Sequence, residues 1–226
     1  MKLVNTSTVR PGLPNLKFLR RCLSDFAAGM QAVAVSNLSG AEQSSARFDA
    51  ELWRMLRQRK DSAHMPGTAP PVPLPGPPKL AVMPDALLDP LLNTLSIMSL
   101  ELRGALLAVQ GKAEDAKAVF ARAAKEERAL GYRESPNYIR PASESEGAAM
   151  LAVRRWAHAK AAFERALVER PHSGFALYGV ALASEQLGNR EAAVKTYADF
   201  LIAWKDAGPG LPQIAHARAY MEAHRG

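Results

Sequence analysis

Residues 147–204 read GAAMLAVRRWAHAKAAFERALVERPHSGFALYGVALASEQLGNREAAVKTYADFLIAW. Within this stretch Ala159, Phe163, Ala166 and Pro171 stand four, three and five residues apart. Steps of three and four put the first three residues on one helix face, and the proline closes the unit. A similar ladder lies upstream in Gly104, Gly111, Ala116, Phe120 and Ala123. A third, more worn, follows in Ala181, Gly188, Ala193 and Tyr197. Phe163 and Tyr197 are 34 residues apart, whereas Phe120 and Phe163 are 43 apart. The polar loop GYRESPNYIRP, residues 131–141, accounts for the longer step.

The physical need behind such a ladder is close helix packing. Ala and Gly let two helix axes approach, and an aromatic then fills the groove between them. Self-similarity at about 34 residues marks helix–turn–helix repeats, and these residues resemble the tetratricopeptide repeat. The resemblance covers residues 90–226, and weakly 24–60. It implies an all-α fold: a helical-hairpin solenoid with a C-terminal capping helix over 211–224, to which the composition adds a proline-rich strap. A solenoid needs such a cap because its last repeat would otherwise leave an apolar face in water. Three positions depart from the pattern. Arg154 stands where the turn glycine belongs, so a looser turn or another turn residue is expected there. Glu127 and Arg128 supply no closing proline to the first copy. Phe200 replaces the last small residue of the third, as suits a neighbouring cap. The chain is also similar to the C-terminal portion of larger bacterial members of the family, and its irregular start suggests that repeats stood upstream.

Working outward, residues 1–15 read as a flexible arm and 16–62 as an N-terminal hairpin. Its first helix is expected from Leu16 to about Leu38, with Leu16, Leu19, Leu23, Phe26, Met30 and Val33 on one face and Ser39-Gly40 as its stop. The second is expected from Ala41 to about Lys60, with Phe48, Leu52, Met55 and Leu56 inward. Ser45 and Asp49 stand where a small residue and an aromatic are expected, so the hairpin reads as a degenerate repeat. Residues 63–83 form a linker, in which 66–78 hold seven prolines in thirteen residues. Such a segment favours polyproline II and would reach ~40 Å at ~3.1 Å per residue. It reads as a semi-rigid strap, with a ligand for an aromatic-lined groove as the alternative. Residues 84–226 hold the repeats. Asp89-Pro90 is expected to open a helix that runs to about Gln110, and its partner to run from about Ala113 to Ala129. Ser143 with Glu146 has capping-box spacing.

Composition bounds the function classes. Hydrophobic residues make up 48% and charged residues 23%, within the range of globular proteins. The single cysteine, Cys22, excludes an internal disulfide and reads as a small buried apolar residue. Most of the net charge of +7 lies in residues 1–60, with ten Lys and Arg against four acids. No uninterrupted apolar run approaches the ~20 residues of a membrane span. The start lacks the apolar core of a secretory signal, so a cytoplasmic location is expected.

No residues point to chemistry. The five histidines form no HExxH, and there is no GxSxG or phosphate-binding glycine loop. No catalytic activity, metal or cofactor is therefore expected. The family resemblance implies a concave groove lined by the first helix of each hairpin, carrying Met98, Glu101 and Ala105, then Glu144, Ala148 and Leu151, then Phe175, Tyr178, Leu182 and Glu185. Of these, Met98, Glu101, Glu144, Leu151, Phe175, Tyr178 and Glu185 are the expected contacts. Their mix of apolar groups and carboxylates suits a protein or peptide ligand of basic or mixed apolar character, with neither nucleic acid nor membrane as partner. Phe175 and Tyr178 read equally well as packing residues. The alternative function is binding of nucleic acid or an anionic surface through residues 1–60, or service as an accessory domain of a larger assembly. An uncapped N-terminal end would be covered either by a second copy, giving a homo-oligomer, or by the hairpin and strap folding back.

Overall fold

The computed structural model describes residues 16–63, 88–131, 140–208 and 210–224. The N-terminal arm, the linker from residue 64 and the polar loop over 132–139 lie outside the described residues. The chain is all-α. Among the described residues there are nine helices: α1 (Leu16–Ala34), α2 (Leu38–Ala63), α3 (Leu88–Val109), α4 (Ala113–Ala129), α5 (Ala142–Ala152), α6 (Trp156–Glu169), α7 (Gly174–Gln186), α8 (Arg190–Ala203) and α9 (Pro212–Ala223).

Helices α1/α2, α3/α4, α5/α6 and α7/α8 pair across three-residue turns. The middle residue of every turn is left-handed: Ser36 at φ 56°, Gly111 at 79°, Arg154 at 58° and Gly188 at 74°. In each, the next amide donates to the carbonyl five residues back: Asn37 to Ala32, Lys112 to Leu107, Arg155 to Met150 and Asn189 to Ser184, at 2.8–2.9 Å. Such a bond satisfies carbonyls that the helix end leaves open. The turn at Arg154 is therefore as tight as its glycine counterparts. An L-residue takes up the left-handed strain that glycine avoids.

The same turn corrects the N-terminal boundaries. Ser39 and Gly40 do not end α1; they belong to the first turn of α2. The break comes earlier, at Val35–Asn37, because the Asn37 carboxamide oxygen accepts the Gly40 amide at 3.0 Å and caps α2. Counting from Ser36 also brings the first hairpin into phase. Ala41, Ser45 and Phe48 follow it by 5, 9 and 12 residues, as Ala116, Phe120 and Ala123 follow Gly111. All six are buried. The aromatic has moved one helical turn onward, and a serine holds its usual place.

Two expected caps are also replaced. Ser143 and Glu146 make no capping box, since α5 already begins at Ala142, with Pro141 before it. The open Ala142 amide instead donates to the Glu127 carboxylate of α4 at 2.7 Å, while Glu146 pairs with Arg165 of α6. Asp89 lies inside the first turn of α3 and pairs with Arg59 of α2 rather than preceding the helix.

Small residues and aromatics meet as the ladder requires. A Cβ on Gly104 would lie 2.7 Å from the Phe120 ring, and one on Gly147 the same distance from Phe163. Gly179 of α7 also closes on Phe163, where a Cβ would come within 2.4 Å. Helix α3 is central, packed by α1, α2, α4 and α5. By length and composition alone it could cross a membrane, although no uninterrupted apolar run of that length lies within it. Half of that apolar stretch is buried inside the fold. Cys22, enclosed with Phe18, Phe48, Leu92 and Leu95, has its thiol pushed up to about 11, first by burial and then by Glu51 and Asp25. This is the buried, unreactive residue that a lone cysteine suggests.

Candidate functional site

The left-handed residues number every first helix in the same way. Met98 and Phe175 precede their turn residue by 13, Glu101, Glu144 and Tyr178 by 10, and Leu151 and Glu185 by 3. These seven residues thus occupy equivalent places on α3, α5 and α7. The structure does not gather them into one site. Met98 packs with the α1–α3 core and Leu151 with the core around Phe163. Tyr178 joins the last core, against α8 and α9.

Along this face the middle of the chain is closed and the last hairpin is open. Glu101 is 3% exposed and Glu144 is 5% exposed. Glu144 accepts the Ser173 hydroxyl at 3.0 Å, and the same hydroxyl oxygen accepts the Ala176 amide at 3.3 Å. A buried acid thus anchors the N-cap of α7. Near Glu101, burial pushes the Glu127 carboxyl above the usual carboxylate range; the Ala142 amide opposes this, and Glu169 and Glu101 add to the rise. Glu144 and Glu127 thus join helices through these bonds, a role that their positions in the sequence did not reveal.

Phe175, by contrast, is 59% exposed and rests edge-on against Trp204, with centroids 5.0 Å apart. Tyr178, Leu182 and Glu185 follow it along α7, each half-buried. Glu185 makes polar contacts to two other helices. Its Oε2 accepts the Tyr197 hydroxyl of α8 at 2.7 Å and meets His216 Nε2 of α9 at 2.9 Å. The Tyr178 ring lies 6.0 Å from Tyr197 and 6.1 Å from His216. Burial, then the Glu185 carboxylate, raises both phenols above the ordinary tyrosine value, Tyr197 far above it. A phenol held protonated beside a carboxylate is a hydrogen-bond donor and not a base. The arrangement fastens α9 to α7 and α8 and leaves the Glu185 side chain 17% exposed.

Residues 185, 197 and 216 are far apart in sequence and meet only once α9 folds back. No motif could have announced them. Among the described residues no group of three or more His, Cys, Asp or Glu is placed to hold a metal ion. No family model matches the chain, and neither does any curated protein or solved structure.

Proposed function

We propose that the chain is a tetratricopeptide-type helical solenoid, joined by a proline-rich strap, that scaffolds protein–protein contacts without a reaction of its own. The observation that carries this reading is the shared register. Four hairpins have a left-handed residue at the same place, a small residue seven positions before it (Gly29, Gly104, Gly147, Ala181) and a buried alanine five after it. Repeats in phase present the same face of each first helix, and such a face suits an extended or helical peptide.

The ligand-binding part of that face is the α7 stretch of Phe175, Tyr178, Leu182 and Glu185. Buried Glu144 serves it indirectly, by anchoring the N-cap of α7. An exposed aromatic, half-buried apolar groups and the partly exposed Glu185 suit a peptide with apolar residues beside Lys or Arg.

Selection of displayed 12-residue peptides against the full chain tests this. The reading expects recovered sequences to combine basic and apolar residues, and Phe175→Ala to weaken them about tenfold or more. Recovery of no sequence class, or of peptides indifferent to Phe175→Ala and to Glu185→Gln, would sink it.

A further inference from the structure

The outer surface of the first hairpin carries a second, chemically different face. On α1, Lys17, Arg20 and Arg21 are exposed and line a shallow cavity of about 330 Å³ together with Ser24 and Asp25. On α2, Arg54 and Arg57 are exposed. One carboxylate joins the two strips, since Glu51 receives both Arg21 and Arg54. The second acid nearby, Asp25, is taken by Arg47 at 2.8 Å. Two acids therefore face six cations on adjoining surfaces, and a net positive ridge remains.

Trp53 extends the α2 strip beyond the seam between the two helices. Two residues from Glu51, it lies on the side of α2 turned away from α1, one helical turn from Arg57 and from Asp49, which pairs with Arg103. It is 60% exposed, and the Arg57 guanidinium lies 4.8 Å from its ring centroid. An exposed indole costs solubility unless it meets something, and here an arginine covers one side while much of the ring stays open to solvent.

We propose that this ridge binds single-stranded nucleic acid. A base would stack on Trp53, the flanking phosphates would be met by Arg57 and Arg54, and the strand would continue over the seam to Lys17, Arg20 and Arg21 on α1. Stacking on an aromatic set among arginines is how such strands are held without sequence reading. Charge alone would suit any polyanion; the open indole selects one with flat bases. The surface lies on the first hairpin, away from α7, so it stands independently of the peptide-binding reading.

The test is anisotropy of a labelled 20-nucleotide oligothymidine titrated with the full chain at several salt concentrations. Tight binding is expected at 50 mM salt, weakening steeply by 200 mM, with each arginine neutralised (Arg54→Gln, Arg57→Gln) lowering the log–log salt slope by about 0.7. Trp53→Ala, an exposed substitution, is expected to weaken binding about five- to a hundredfold at constant salt with the helical circular dichroism unchanged. No binding at 50 mM salt, or binding that Trp53→Ala leaves intact, overturns the proposal. So does binding to phosphatidylserine vesicles in place of the oligonucleotide.

Discussion

Gly179→Ala is a sharp test of the packing, because alanine is otherwise the better helix residue. In an unconstrained helix the change should stabilise by about 0.5–1 kcal/mol. Here the new methyl would lie 2.4 Å from the Phe163 ring, over 1 Å closer than ordinary carbon contact. The ring has little room to give, because Gly147 packs on it as closely, with a would-be Cβ 2.7 Å away. Overpacking of this kind costs about 1–3 kcal/mol, and a ring held closely by two glycines belongs at the upper end. Setting the helix gain against it leaves a net loss of about 2 kcal/mol. Urea unfolding followed by circular dichroism should then show a midpoint about 1 M lower, given a slope near 2 kcal/mol per M. Pairing the substitution with Phe163→Leu should recover part of the loss. A neutral or stabilised Gly179→Ala would refute the trapped ring and the close α5–α6–α7 packing that rests on it.

Four further outcomes follow from the same geometry. Arg154→Gly should raise stability by about 0.5–1 kcal/mol in thermal unfolding, and Gly188→Ala should lower it by about 1 kcal/mol, because both residues are left-handed. Tyr197→Phe should cost about 1–2 kcal/mol by removing the donor to Glu185. Tyr197 keeps its proton in the fold above pH ~10, where an unfolded tyrosine loses it, so native stability should fall as pH rises past about 10 and the variant should flatten that fall. Ser184→Ala should be neutral or stabilise by up to about 1 kcal/mol in urea, since the buried Ser184 hydroxyl has no hydrogen-bond partner among the described residues. The Cys22 thiol, pushed up to about 11, should resist a thiol reagent at pH 8 until the chain is unfolded, and its contribution to stability should fade as pH climbs toward 11.

The helices were legible because Ala, Leu and aromatic spacing carries the helical period through α3 to α8, and because Gly111 and Gly188 mark turns that only glycine takes without strain. The first hairpin was half legible. Its turn residue is Ser36, which carries no left-handed signal, so the boundary drifted to Ser39-Gly40 and the phase of Ala41, Ser45 and Phe48 was lost. Arg154 hid a tight turn for the same reason. Candidate site residues were found as a column, since register alone fixes equivalent places, but their exposure was not. Glu101 and Glu144 read as groove carboxylates, yet α5 packs against both α3 and α7, and these acids end up inside. Neither the Glu127 bond to the Ala142 amide nor the Tyr197–Glu185–His216 contact has a local signature; each joins residues brought near only by packing.

Hydrogen exchange of the full chain, followed by mass spectrometry with and without a selected basic–apolar peptide, tests the proposed binding face most directly. The account predicts slowed exchange in 174–187, with α1 and α2 unchanged. Protection confined to α1 and α2, or none in α7 at saturating peptide, would contradict it.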